Sequence, residues 1–336
     1  MVKKHIRMNI GGVMVAALAL SVLIGSQSFA QSANTNTSTN VLKVSPVRTD
    51  IEIKPGESKK IPVTVTNLTK TPITVSPIEN DFIAGDERGT PALILDKDKY
   101  APTHSLKRFM TPLEDVTIPA GKSKAVDVVI TVPKDAKAGG YFGAVRFAPA
   151  SPDGGAQVNL SASAASLMLV TVTGDIVEKL DLTSFDIQQD GKAGSFFQSA
   201  NELQAAFRFE NKGGAQVGPF GKVVVTQNGS VVYEADFNNK TPRDVILPDS
   251  ARAWDIPLKK IGSFGNYTVT ATFSYGQKNQ TIEVTKSFWV VPQFIIIATI
   301  VGVLVLVGLI VGIWLFLRGY KRRLLGGHRR GGGFRR

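Results

Sequence analysis

Residues 294–317, FIIIATIVGVLVLVGLIVGIWLFL, run for 24 positions without a charge. Wound as an α-helix, that run is about 36 Å long, enough to cross a hydrocarbon core of roughly 30 Å with some tilt. A buried core helix of this length would need a large domain around it, and only 19 basic, glycine-rich residues follow. The run therefore reads as a transmembrane helix over 293–317, with 318–336 as a cytoplasmic tail. Trp289 and Pro292 stand on one side and Trp314 and Tyr320 on the other, where interfacial aromatics belong. Arg318, Lys321, Arg322, Arg323, Arg329, Arg330, Arg335 and Arg336 put the positive charge on the carboxyl-terminal side, which predicts that this end faces the cytoplasm.

The amino end fits the same topology. Lys3, Lys4 and Arg7 precede the apolar stretch 10–24, and Ser28-Phe29-Ala30 places small residues where a signal peptidase reads. Residues 1–30 are expected to be a cleaved signal peptide; an uncleaved anchor is the competing reading. The polar run QSANTNTSTN then makes 31–41 a flexible leader.

Charge has to be read by compartment. The whole chain carries +12, but three of those charges lie in the signal and eight in the tail, which leaves the exported part near +1. Basicity reports topology, and no nucleic-acid partner is implied. The tail can touch anionic lipid, so membrane lipid is an expected contact through the span and the tail. There is no cysteine, so the exported part must be stabilised by core burial, which roughly 260 residues in two domains can supply.

From about Leu42 to Val290 the pattern has period two. Tyr267, Val269, Ala271 and Phe273 alternate with Thr268, Thr270 and Thr272, and Val63, Val65 and Val75 lie in a similar stretch. Alternation of this kind predicts strands with one face on a core and one on water. No comparable helical pattern exists outside the apolar run, so the exported part is expected to be all-β. The segment IKPGESK at 53–59 is echoed by IPAGKSK at 118–124, giving strand, glycine turn and strand twice. VTVTN, ending at Asn67, is echoed by FRFEN, ending at Asn211, and Gly140-Tyr141 is echoed by Asn266-Tyr267. These offsets suggest two sandwiches of similar plan, 42–176 and 177–292. A tyrosine opening a late strand suggests the tyrosine corner of immunoglobulin-like domains, and the Tyr267 hydroxyl is expected to reach backbone near 257–261. Asn228-Gly229 between two apolar runs predicts a type I′ hairpin.

The inventory for catalysis is thin. His104 is the sole histidine of the exported part, and no nucleophile motif surrounds it; one histidine and no cysteine cannot build a His-rich zinc site. Glu79, Asp81, Asp86, Glu87, Asp96 and Asp98 cluster at intervals that fit no EF-hand and are mixed with Arg88, Lys97 and Lys99. They read as solvated loop charges, with a weak calcium site left open. No catalytic, cofactor or metal residue is assigned. The loops expected to bind are 80–111 and 148–156.

A signal peptide, a first domain running from KVSPVRTDIEIKPGESKKIPVTVTN to VTVPKDAKAGGYFGAVRF, a second β domain ending in FWVVP, one span and a basic tail together resemble the WxL-interacting surface proteins of Gram-positive bacteria. That resemblance implies a peptidoglycan-binding first domain, a host-binding second domain and a WxL-type surface protein as partner. The expected fold is an all-β ectodomain of two immunoglobulin-like β-sandwich domains followed by a single C-terminal transmembrane helix. The expected function is a non-catalytic, membrane-anchored cell-surface binding or scaffold protein whose partners are cell-wall peptidoglycan, a WxL-type protein and a host or neighbouring-cell ligand. The alternatives are an accessory subunit of a membrane sensor or transport complex and, behind it, a wall-polysaccharide hydrolase.

Overall fold

A computed structural model describes residues 41–150 and 163–326, with side chains as far as Lys321. The signal, most of the leader, the end of the tail and positions 151–156 of the second expected binding loop lie outside the described residues.

The strands of the amino-terminal half are β1 (Leu42–Ser45), β2 (Arg48–Ile53), β3 (Ser58–Asn67), β4 (Ile73–Ala84), β5 (Pro91–Leu93), β6 (Val116–Ile118), β7 (Ser123–Thr131), β8 (Gly139–Pro149) and β9 (Ala164–Val172). A three-stranded sheet ordered β1-β3-β7 faces a six-stranded sheet ordered β2-β9-β8-β4-β5, with β6 also on β4. All pairings are antiparallel except β2 with β9. The core between them holds Val63, Val65 and Val75, each fully buried, with Ile118, Phe147 and Val170. The two glycine turns are not hairpins: each carries the chain from the larger sheet to the smaller, β2 to β3 and β6 to β7.

The second half adds β10 (Leu180–Gln189), β11 (Lys192–Ala193), β12 (Phe196–Phe197), β13 (Leu203–Asn211), β14 (Phe220–Gln227), β15 (Ser230–Phe237), β16 (Ser250–Pro257), β17 (Gly265–Tyr275) and β18 (Gln280–Val290). They form a four-stranded sheet, β11-β10-β13-β16, against a five-stranded one, β12-β18-β17-β14-β15. Tyr267, Val269, Ala271 and Phe273 point inward, and Thr268, Thr270 and Thr272 do not. Phe273 meets the rings of Phe207, Phe209 and Phe237 at centroid distances of 5.0, 5.0 and 4.7 Å. Asn228 and Gly229 both have positive φ, 50° and 80°, as a type I′ turn requires, and join β14 to β15.

The matching words in the two halves are matching devices. Asn67 and Asn211 end β3 and β13 fully buried. Asn67 Nδ2 donates to the carbonyls of Thr71 and Ile118, and its Oδ1 accepts from Thr69 N. Asn211 Nδ2 donates to the carbonyls of Ala215 and Ile246, and its Oδ1 accepts from Gly213 N. In each sandwich one amide pins the turn after its strand to a distant segment, β6 in the first and the stretch before β16 in the second. The tyrosines also correspond: Tyr141 donates to the carbonyl of Lys137 at 2.9 Å, and Tyr267, which is 1% exposed, to that of Phe264 at 3.4 Å. The second acceptor is three residues upstream and lies outside the expected 257–261, because Gly262 brings the turn directly under the hydroxyl.

The reading of 80–111 as one loop is corrected. β4 continues to Ala84, and Asn80 and Asp81 are completely buried. The Asp81 carboxylate accepts from the backbone of Ala101 and Lys107, and Asn80 Nδ2 donates to the carbonyl of Ile94. Glu79 likewise accepts from Leu113 N. These side chains are not solvated charges; they hold 94–113 against the sandwich, where Thr111 N bonds Val129 O and Met110 bridges Ile130 of β7.

The chain then enters α1 (Gln293–Gly326), whose apolar part is long enough to cross a membrane and is unburied. The fold is thus an all-β part of two sandwiches followed by one helical span.

Candidate functional site

The two sandwiches meet over the outer face of one sheet. The sheet of β9, β8 and β4 carries apolar residues on its outer face as well as its inner one. Phe82, Phe142, Ala144 and Leu169 are buried there with Leu93 and Leu167 half-buried beside them, and Val245 and Leu247 of the second sandwich cover them.

Charged seams flank this contact. Asp86 shapes the β4–β5 loop by accepting from the backbone of Arg88 and Thr90, and those bonds hold its carboxyl below the usual carboxylate range. The loop so formed reaches β16, an edge strand. Glu87 O accepts from Ala253 N at 2.7 Å, and the Glu87 carboxylate takes the Arg208 guanidinium through two bonds of 2.9 and 2.7 Å. Arg208 lowers the Glu87 pKa, chiefly through that hydrogen bonding. Arg88 reaches Asp255 at 2.5 Å. Gly89, at φ +90°, lies flat against Arg252: a Cβ there would sit 2.3 Å from the guanidinium carbon, so no other residue fits without displacing it. On the far side Arg48 donates to Arg243 O while held by Asp50, and Gly140 N bonds Gly214 O.

Between the seams lies a groove of about 260 Å³ with Phe82, Leu167, Leu169, Val245 and Leu247 along its floor. Arg48, Asp86, Asp244 and Arg252 mark its rim. Arg252 donates to Val245 O and pairs with Asp244, and its buried Nε has no partner among the described residues. The groove offers an apolar slot for one small group, with the Arg252 side chain along its edge. Its carboxylates are engaged by cations or backbone. His104 is elsewhere, with Nδ1 2.6 Å from Gly140 O and its ring against Tyr141 and Phe142. Among the described residues no cluster of three or more metal-ligating side chains occurs.

Of the acidic residues singled out in the sequence, Asp86 and Glu87 reach this junction, whereas Glu79 and Asp81 work inside the first sandwich and Asp96 pairs with Lys99. Arg48, Arg208 and Arg252 escaped the sequence reading. Glu87 and Arg208 are 121 positions apart, and nothing local marks them as partners.

Two sandwiches joined through a buried apolar contact are followed by one long apolar helix. Residues 49–149 match the family model described as "WxL Interacting Protein, peptidoglycan binding domain". The first sandwich is thus similar to the peptidoglycan-binding domain of the WxL-interacting family over those residues. No curated protein matches the chain. Among solved structures it is similar to the class 5 fimbriae chaperone CfaA, at 15% identity and a TM-score of 0.38 over 73% of this chain and 98% of that one. It is also similar to the E. coli chaperone DraB, at 16% and 0.31 over 74% and 96%. A family 123 glycoside hydrolase from Clostridium perfringens aligns with 38% of this chain and 23% of its own, at 15% identity and a TM-score of 0.25.

Proposed function

We propose that this protein is a non-catalytic, membrane-anchored scaffold of the bacterial cell surface, whose first sandwich engages peptidoglycan and whose paired sandwiches receive a WxL-type surface protein. The observation that carries the reading is the match of 49–149 to a peptidoglycan-binding domain family, on a chain whose other end is a long apolar helix. The division of labour follows 42–176 for the wall and 177–292 for a partner or host ligand. The sandwiches stand outside and the basic tail inside, as the charge asymmetry favours.

Detergent-solubilised full-length protein mixed with purified insoluble peptidoglycan should co-sediment with it, and excess soluble wall fragments should compete. Failure to sediment above the level of an unrelated β-sandwich protein would remove the wall-binding assignment. A carboxyl-terminal epitope on intact cells should resist protease that digests the sandwiches; an accessible epitope would reverse the topology.

A further inference from the structure

The lower rim of the second sandwich carries an apolar patch that neither domain covers. Phe196 on β12 pairs in register with Trp289 on β18, and both point away from the core, at 73% and 39% exposure. Phe264, 53% exposed, precedes β17 at the same end. The β14–β15 hairpin joins them, with Gln227 donating to Phe264 O and Val231 exposed beside its tip. Lys192 on β11 and Lys259 and Lys260 after β16 are exposed at this end, with Asp190 and Glu202 as the acidic counterparts.

This is also the end from which the helix leaves, and the connection is short. Val291 N still bonds Phe197 O, and Pro292 O already accepts from Ile295 N of the first helical turn. Pro292 is the one residue between the sheet's last bond and α1. From Trp289 to Gln293 an extended chain spans at most about 14 Å. That is close to one leaflet's headgroup layer, roughly 5–8 Å deep, plus the reach of an aromatic side chain. Large aromatics flanked by lysines at that depth have the composition that partitions into a membrane interface.

We infer that Phe196, Phe264 and Trp289, with Lys259 and Lys260, form an interfacial foot that seats the second sandwich on the lipid headgroups of the bilayer its own helix spans, and so fixes the tilt of the sandwich pair. The inference rests on reading α1 as a span. Its occupant is lipid, because the apolar rim is continuous in sequence with the span and no loop is long enough to hold it away from the surface.

The chain lacks cysteine, so single cysteines report without background. Full-length protein in vesicles containing anionic lipid is labelled with a fluorophore at Ser195→Cys and Ser263→Cys, which flank the aromatics and leave them intact. Lys278→Cys lies at the opposite end of the eleven-residue β17–β18 pair, about 36 Å away, and Leu306→Cys lies within α1. Headgroup-nitroxide lipid should quench the labels at 195 and 263 several-fold more than the label at 278. Replacing Phe196, Phe264 and Trp289 with Ser should bring 195 and 263 down to the level of 278. Exchanging Lys259 and Lys260 for Gln should loosen the apposition by about fivefold per lysine, the factor for one cation near an anionic surface. If 195 and 263 quench no more than 278 while mid-chain nitroxide quenches 306, the foot is refuted and the span stands. If 306 is unquenched as well, the span reading falls and the foot with it.

Discussion

The buried asparagine at the end of β3 permits a sharp test of what holds the first sandwich together. Asn67→Ala removes donation to Thr71 O at 2.7 Å and to Ile118 O at 3.1 Å, and acceptance from Thr69 N at 2.8 Å. Thr69 Oγ1, which also lies 2.7 Å from the lost Oδ1, is then left to donate to Thr71 O, but Ile118 O and Thr69 N lose the side chain that met them. Three net bonds at about 0.5–1.5 kcal/mol each, with further loss where a buried group is left unpaired, give about 2–4 kcal/mol. Lys60→Ala, exposed on the same strand, should stay within about 0.5 kcal/mol. Asn67→Asp keeps the acceptor but, ionised, aims a carboxylate at two carbonyls. Burial and those carbonyls would raise its folded pKa above the ordinary aspartate value of about 3.9. Its penalty should therefore be smallest below pH 4 and grow as the pH rises towards the folded value. All three tryptophans lie beyond the first sandwich, so urea unfolding of 41–292 should be followed by far-ultraviolet circular dichroism. A cost for Asn67→Ala no larger than that of Lys60→Ala, or an Asn67→Asp penalty that does not change with pH, would refute the argument.

In the second sandwich, Phe273→Ala should cost about 3–5 kcal/mol because it empties the centre of a four-ring cluster. Tyr267→Phe should cost near the lower end of about 0.5–1.5 kcal/mol, since its hydrogen bond is long, and Thr270→Ala should cost less than Phe273→Ala; tryptophan-monitored melts that reversed this order would contradict the register of β17. The Glu87 pKa is lowered in the folded protein, so its tie to Arg208 contributes above the ordinary glutamate range and is lost as the pH falls through the lowered value. The protection of the Ala253 amide, bonded to Glu87 O, measured relative to its intrinsic exchange rate at each pH, should fall in that acidic window and stay constant between pH 6 and 8. Leu247→Asp places a charge against Phe82 and Leu169 and should destabilise the first sandwich from within the second, which exchange rates at β8 and β9 amides would reveal.

What the sequence disclosed and what it hid divide along a physical line. The alternation around Phe273, the Asn228-Gly229 turn and the 24-residue apolar run are local patterns whose meaning does not depend on distant residues. The Asn67 and Asn211 echo was legible as a repeated word, but its reason was not: each amide closes on a carbonyl tens of residues away, Ile118 or Ile246. Residues 80–84 read as loop because Asn80 and Asp81 interrupt the apolar pattern. Their polarity is spent on the backbone of 94–107, and only the folded chain brings that backbone to them. The groove was hidden for the same reason, since one wall comes from β4 and β9 and the other from the segment before β16, far away in the sequence.

Magnitudes then decide which part of the junction sets the angle between the sandwiches. Glu87–Arg208 and Arg88–Asp255 are partly exposed pairs, and such pairs contribute about 0.2–1 kcal/mol each, less in salt. Burying a leucine or phenylalanine side chain contributes about 1.5–3 kcal/mol, and Phe82, Phe142 and Leu169 are each less than 5% exposed under the cover of Val245 and Leu247. The apolar contact therefore holds the sandwiches together, while the ion pairs and the Gly89–Arg252 stack choose the direction in which they are held. A ligand group entering the groove would extend that same apolar surface, so binding there and docking of the second sandwich on the first draw on one set of side chains. Occupancy of the groove should strengthen the junction rather than open it.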